Sequence, residues 1–276
     1  MDVLSLGLGD LYKKFMFLFV YSRYMNSKYK KTIVYSCVFY NENYINLLKL
    51  LLSTYNHLGC PSDDVDYLVI CHPIFESKIN NILQELNING NTWCLDLHTK
   101  FEAAYSRLKI FEYPMIHTYD KILYLDCDIL VTDKIESMLN FPLEDKLYAL
   151  EEGNTNHEFW GAQLFDPPLD HDAFTTGILL FNNSPPIKKL FSDILEHIYS
   201  YRLPIPSCLD QPFIVYHAFK NNMYDNKTLI GKVVNNPTSV NGATICHFPG
   251  GPGDYGSKIV KMNNFLHGNK LDIVMR

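Results

Sequence analysis

Two aspartates one residue apart, Asp126 and Asp128, stand directly after the run Lys121-Ile122-Leu123-Tyr124-Leu125. Residues two apart on an extended chain project to the same side, so both carboxylates can meet one ion. Left unpaired in an apolar setting they would be costly, and each would raise the pKa of the other. A divalent cation removes that penalty. All-oxygen ligation suits Mg²⁺ or Mn²⁺, and a diphosphate can complete the shell. Ile129-Leu130-Val131 continue the apolar text on the far side, which places the pair at the end of a buried strand.

The surrounding chain alternates strand and helix patterns. Thr32 to Phe39 is a β-branched and aromatic run, and Asn41-Glu42-Asn43 closes it. Tyr44, Leu47, Leu48, Leu51, Leu52 and Tyr55 recur at helical spacing, so a helix is expected over 44–58, ended by Gly59-Cys60-Pro61. Further strands are expected over Asp66–Cys71, Trp93–Leu97 and Lys121–Leu125. Helices are expected over Glu76–Leu86 and Phe101–Ile110. This alternation implies a parallel sheet with helices on both faces. Ligands then sit at the carboxyl ends of the strands, which directs attention to the residues after Phe39 and after Leu125. In the second half, proline pairs divide the chain into short pieces. Strands are expected over Ile178–Phe181 and Ile245–Phe248, and helices over Ile187–Tyr201 and Gln211–Phe219.

With 276 residues, 47% of them hydrophobic, the chain can bury a full core. Its net charge of −6 argues against a nucleic-acid partner. Seven cysteines without a C-x-x-C pair argue against a zinc site or a disulfide framework and favour a reducing compartment. Phe15 to Tyr21 is apolar but too short to span a bilayer, and no small-residue cleavage site follows it. Residues 1–30 therefore read as a helical N-terminal extension, with a membrane-surface anchor as the alternative. The expected location is cytoplasmic.

One other enzyme class shares the local motif. Haloacid-dehalogenase phosphatases carry D-x-D-x-T after a strand. Here the fifth position is Leu130, and the motif arrives only after a long stretch of α/β pattern. Gly253-Asp254 is followed four positions later by Lys258 rather than by an acid.

Taken together, four blocks resemble the glycogenin-like and lipopolysaccharide galactosyltransferase-like glycosyltransferases of family 8. They are the opening strand with Asn41 and Tyr44; Arg107-Leu108-Lys109 leading to Asp126 and Asp128; Thr176-Gly177-Ile178-Leu179-Leu180-Phe181-Asn182 with Asp210-Gln211; and His247-Phe248-Pro249-Gly250. The resemblance runs from about Thr32 to Lys261. It implies a GT-A (Rossmann-like) α/β fold with a mixed, mainly parallel sheet. The chain divides accordingly into a 1–30 extension, a 31–265 catalytic domain and a 266–276 tail. It also implies a retaining enzyme that takes a hexose from a UDP-sugar, with UDP-glucose the best single guess.

The same resemblance distributes roles. Val38, Tyr40, Asn41 and Tyr44 match positions that line the uridine pocket, where a stacked ring contributes about 1–3 kcal/mol. Arg107 matches a basic residue that meets the donor, and a guanidinium suits bidentate binding of oxygens. Asp126, Asp128 and His247 match the ligands of Mn²⁺ (or Mg²⁺), and Cys127 offers its backbone near the ribose. Gly250 matches a glycine whose amide meets the diphosphate, in a run that can curl into a nest of N–H groups. A lysine is expected at position 253, where this chain has Gly253; Lys258 and Lys261 are the candidates to replace it. Asp210 and Gln211 match the acidic and amide residues nearest the sugar. Thr175 and Thr176 stand where the family often has Asn-Ser or Asn-Ala. The acceptor is a sugar, a glycan or a protein hydroxyl, self-glucosylation on tyrosine included. A homodimer is one expected state. A non-catalytic nucleotide-sugar-binding protein is the competing reading.

Overall fold

The computed structural model describes residues 31–250 and 254–271. The expectations for residues 1–30 and for Gly253 lie outside the described residues. Along the chain the strands are β1 Thr32–Val38, β2 Val65–Cys71, β3 Gly90–Cys94, β4 Lys121–Leu125, β5 Ile129–Val131, β6 Leu147–Tyr148, β7 Glu151–Asn154, β8 Asp172–Phe174, β9 Ile178–Asn182, β10 Tyr224–Asp225, β11 Val233–Asn235 and β12 Ile245–His247. The α-helices are α1 Asn43–Thr54, α2 Glu76–Glu85, α3 Lys100–Tyr105, α4 Glu136–Leu139, α5 Pro185–Ser200, α6 Gln211–Lys220 and α7 Tyr255–Gly268.

Seven strands form the main sheet in the order β10-β6-β9-β4-β1-β2-β3. Neighbours run parallel except where β9 pairs with β4 and β6. This is the mixed, mainly parallel α/β sheet that the family resemblance implied, where the alternation alone implied a parallel one. β1, β2 and β3 step outward in one direction, whereas β4 lies on the other side of β1. The winding reverses between β1 and β4, and the crevice outside the strand ends at such a point receives ligands. The two strands part there: their ladder stops at the Tyr35–Tyr124 pair, and the hydroxyl of Ser36 donates to the Leu125 carbonyl at 2.7 Å instead.

The central strands are buried on both faces, so their text is apolar throughout. Leu123, Leu125, Ile178 and Leu180 face one core with α1 and α7, while Ile122, Tyr124, Leu179 and Phe181 face the other with α5 and α6.

Several elements differ from the sequence expectation in extent. The third strand is Gly90–Cys94, not 93–97. Its register is set by pairing with β2, Tyr67 opposite Gly90, rather than by the Trp93-Leu95-Leu97 alternation. The first helix ends as α-helix at Thr54 and closes with a π turn over Tyr55–Gly59. Beyond Tyr105 the expected helix tightens into a 3₁₀ segment, Ser106–Glu112. The pattern did not show the small sheet β11-β12-β5. In it His247 lies opposite Ile129 on one side and Asn235 on the other.

Candidate active site

The small sheet explains how His247 reaches the two aspartates. β5 leaves directly from Asp128, and antiparallel pairing sets His247 beside Ile129. The amide of Phe248 donates to the Asp128 carbonyl at 2.9 Å, and that of Asp126 donates to Gly177 at 2.8 Å. One ligand atom from each of Asp126, Asp128 and His247 lies within 4.8 Å of the others. Asn235 Oδ1 sits 2.7 Å from His247 Nδ1 and so directs Nε2 toward the aspartates. An outer hydrogen bond of this kind orients metal-ligating histidines.

The residues fit a divalent cation by two further observations. Asp128 Oδ1 is buried and has no hydrogen-bond partner. A Cβ at Gly177 would stand 2.8 Å from the His247 ring and 3.1 Å from Asp126 Oδ2, so the glycine keeps this space open. Gly177 was part of a quoted motif, but its spatial role was not visible from the sequence.

Around this cluster lies an open cavity of about 580 Å³. Among its lining are Tyr40, Asn41, Tyr44, Arg107, Asp126, Cys127, Asp128, Thr175, Thr176, Asp210, Gln211, His247, Gly250 and Lys258. Val38 is not brought there. It is fully buried in the core, whereas Cys37 and Phe39, its neighbours in the period-two pattern, line the cavity. Tyr40 is 59% exposed and holds φ at +62°. The Asn41 amide closes a tight turn on the Phe39 carbonyl at 2.6 Å, and the Asn41 side chain accepts from Asn43 N at 2.9 Å at the start of α1.

Arg107 is the hub of a buried charge network. It lies 3.5 Å from Asp126 and 3.1 Å from Asp210, donates to the Thr176 carbonyl at 2.7 Å, and packs over the Tyr124 ring at 4.7 Å. Its Nε–H points at the Ala104 carbonyl. Asp210 Oδ2 therefore has a charge contact but no hydrogen bond. Tyr124 donates to Asp126; as residue i−2 of that aspartate on the same strand face, it could have been found by period two. Burial pushes the Asp210 carboxyl up, and the Asp126 charge adds to this against the pull of Arg107. Gln211 Oε1 accepts from Thr176 N and Oγ1, each at 3.3 Å. Its amide donates to the Phe159 carbonyl at 3.1 Å.

Of the two candidate lysines, only Lys258 reaches the aspartate cluster. It is buried on α7, its Nζ 2.6 Å from Asp128 Oδ2, whereas Lys261 is exposed and reaches Asn236 and the Pro249 carbonyl. Burial opposes the Asp128 charge, but Lys258 and His247 outweigh it and hold the carboxyl well below its usual range. The remaining wall includes Ser207, which the resemblance sets where glycogenin has an aspartate, and Glu152, Phe159 and Trp160, which the sequence did not reveal. The Trp160 ring lies against Gly153, where a Cβ would come within 2.3 Å of it.

A GT-A sheet with an Asp-x-Asp–His cluster at its switch point defines a glycosyltransferase architecture. The profile described as Glycosyl transferase family 8 matches residues 4–225, and the chain belongs to that family of enzymes. Solved structures with this fold include the bifunctional glycosyltransferase WbbM (TM-score 0.57, 15% identity, 88% of this chain and 52% of that chain). The galactosyltransferase LgtC, crystallised with donor and acceptor sugar analogues, aligns with TM-score 0.53 and 16% identity over 84% of this chain and 95% of its own. Mouse xyloside xylosyltransferase 1 aligns with TM-score 0.52 and 12% identity over 80% and 98%. This chain thus spans about half the length of WbbM (52%). No curated protein matches it in sequence. Family membership sets aside the phosphatase reading. Among the described residues no helix is long and apolar enough to cross a membrane.

Proposed function

We propose that the chain transfers a hexose from a UDP-sugar to a hydroxyl of a sugar, glycan or protein, with retention at the anomeric carbon. UDP-glucose is the first donor to test. The observation that carries this reading is the convergence of Asp126, Asp128 and His247 within 4.8 Å of one another, with Arg107 and Asp210, in the lining of a donor-sized cavity. A divalent ion held by the three ligands, Mn²⁺ or Mg²⁺, supplies Lewis-acid stabilisation of the diphosphate leaving group.

The chain's own residues do the rest. Tyr40 offers an exposed ring for the base, and Tyr44 forms the wall beside it. Lys258 stands in for the lysine absent at position 253 and carries a positive charge toward the diphosphate, with the Gly250 backbone beside it. Arg107 fixes Asp126 and balances Asp210, so the charge at the sugar's side of the cavity is set before substrate enters. Preorganised charge of this kind is where transferases gain most. Asp210 and Gln211 face the sugar, Asp210 as the group that meets positive charge developing at the anomeric carbon and Gln211 as its orienting neighbour. Glu152, Phe159 and Trp160 line the same cavity, Phe159 next to Gln211, and form the acceptor wall.

Intact-protein mass spectrometry against a panel of UDP-sugars, with and without Mn²⁺, tests this. It reads self-glycosylation, and a UDP-release assay on the same mixtures reads hydrolysis and transfer. Release of UDP from at least one donor, abolished by Asp128→Asn, is expected. Tight binding of UDP without release or transfer from any sugar donor would overturn the proposal.

A further inference from the structure

A second group of metal-type ligands lies away from the cavity lining. His72 follows β2, and Asp96 and His98 follow β3, so all three stand at the carboxyl edge of the sheet, outward from the donor site. His72 Nε2 is 3.4 Å and His98 Nε2 3.2 Å from the same oxygen, Asp96 Oδ1. All three ligand atoms lie within 4.8 Å of one another. A tetrahedral ion with bonds of about 2.0–2.1 Å needs ligand-to-ligand edges of about 3.3–3.4 Å. The two measured edges match it.

The supports of these side chains are fixed independently of one another. The His72 backbone is tied to the Val38 carbonyl at 3.1 Å, while its ring Nδ1 accepts from the Ile74 amide at 3.2 Å, a bond that binding at Nε2 gives up. Asp96 is the centre of a tight turn, Leu97 N to Leu95 O at 3.2 Å, and Leu95 is tied to the Cys71 carbonyl at 2.9 Å. The His98 backbone donates to Glu102 at 3.1 Å, within the capping box that Thr99 and Glu102 form at the start of α3. A site whose ligands rest on separately anchored backbone loses little on ordering.

We propose that His72, Asp96 and His98 form a second cation site, selective for a borderline ion such as Zn²⁺ over Mg²⁺ or Mn²⁺. Two imidazoles and one carboxylate are the donor set such an ion prefers, whereas Mg²⁺ and Mn²⁺ favour oxygen. Asp96 and His98 are exposed and His72 half-buried, which leaves the remaining coordination positions to water. On binding, the ring proton of His72 leaves Nε2 and resides on Nδ1, and the Ile74 amide in its exposed turn passes to water. The bound ion joins the end of β2 to the segment that enters α3. Lys100, Ala103 and Ala104 of that helix line the donor cavity, so the site braces one wall of the active site without touching substrate.

The test uses the full chain carrying Asp126→Asn and Asp128→Asn, stripped of metal by chelation and dialysis. This silences the donor-site cluster and separates the outcome from that of the proposed transferase function. Co²⁺ is titrated and followed by visible absorption, and Zn²⁺ by calorimetry. One equivalent is expected to bind, with the intense d–d bands of a four-coordinate ion. Zn²⁺ is expected to slow hydrogen exchange at the amides of residues 95–100. Adding His98→Ala, or separately His72→Ala, is expected to weaken binding at least tenfold and remove the bands. Both side chains lie at the surface edge, and unchanged circular dichroism confirms folding. Absence of the equivalent in the double-aspartate variant, or an equivalent that survives both histidine substitutions, overturns the proposal.

Discussion

Replacing Gly177 with alanine adds one methyl group to the space between Asp126 and His247. That carbon would stand 2.8 Å from His247 Cε1 and Nε2 and 3.1 Å from Asp126 Oδ2. Carbon contacts become favourable only at about 3.5–4.0 Å, so the ring must retreat by about 0.7 Å. It cannot do so freely. Asn235 holds Nδ1 at 2.7 Å, and the His247 backbone is laced between β11 and β5. Metal–ligand distances tolerate only about 0.2 Å. Disturbing an outer-shell partner alone costs about 10–100-fold in metal affinity, equivalent to about 1.4–2.8 kcal/mol. Gly177→Ala is therefore expected to raise the Mn²⁺ dissociation constant by at least tenfold. Overpacking lowers stability by about 1–3 kcal/mol. The assay is Mn²⁺ titration of the stripped enzyme by electron paramagnetic resonance, beside thermal unfolding with and without the ion. Gly256→Ala, with open space around its site, serves as the control and leaves Mn²⁺ affinity unchanged. A folded Gly177→Ala enzyme that binds Mn²⁺ within twofold of the parent would refute the assignment of His247 as a ligand.

Three further outcomes are expected. Tyr40→Gly removes a non-glycine residue from φ +62° and relieves strain of about 1 kcal/mol, while losing a stacking ring worth about 1–3 kcal/mol. Thermal unfolding should show no loss of stability, and UDP titration a Kd raised by about 5–150-fold. Asp210 has its folded pKa raised by burial; folding favours its protonated form, and stability is lost as pH rises from the unfolded value of about 3.9. Asp210→Asn should accordingly unfold at higher denaturant than the parent at pH 7, lose that advantage below pH about 4, and lack transfer activity. Lys258→Met leaves Asp128 buried without its cation partner, a loss of about 3–5 kcal/mol. Because a bound ion neutralises the same carboxylate, Mn²⁺ should raise the melting temperature of this variant more than that of the parent.

How far the site was legible depended on how local its geometry is. Asp126 and Asp128 were readable because a strand's period of two and its apolar run are both local. Tyr124 obeys the same period. The strand–helix alternation pointed to the strand ends after Phe39 and Leu125 before any family resemblance, but not to the pairing of β1 with β4 that makes the switch point. Gly177, Asn235 and Trp160 escaped because their roles are set by contacts across distant segments. The small sheet that carries His247 depends on pairing β5 with β12, and three-residue strands leave no pattern in the text. Val38 was assigned to the uridine pocket by resemblance, whereas strand alternation turns it inward and presents Cys37 and Phe39. β3 began earlier than its aromatic and leucine residues suggested, because register is decided by the neighbouring strand.

Lys258, proposed above to replace a lysine at position 253, reaches Asp128 from the last described helix. Asp254 caps α7, its side chain accepting from Ser257 N at 3.3 Å, and Lys258 follows in the first turns of the helix. From there its stem passes over Gly250, where a Cβ would stand 3.1 Å from Lys258 Cε. Any larger residue at position 250 would crowd that passage. Gly250 is thus required twice, by the approach of backbone to a diphosphate in the proposed function and by the path of this lysine. The ammonium ends on Asp128, and burial, which disfavours its charge, is overcome by that aspartate, so its pKa lies above the ordinary lysine range. In the proposed function, a metal held by Asp128 would give it a positive partner and a diphosphate would give Lys258 a negative one. The ion pair is therefore exchanged for two new pairs rather than broken, and metal and nucleotide should bind with positive coupling that Lys258→Met removes.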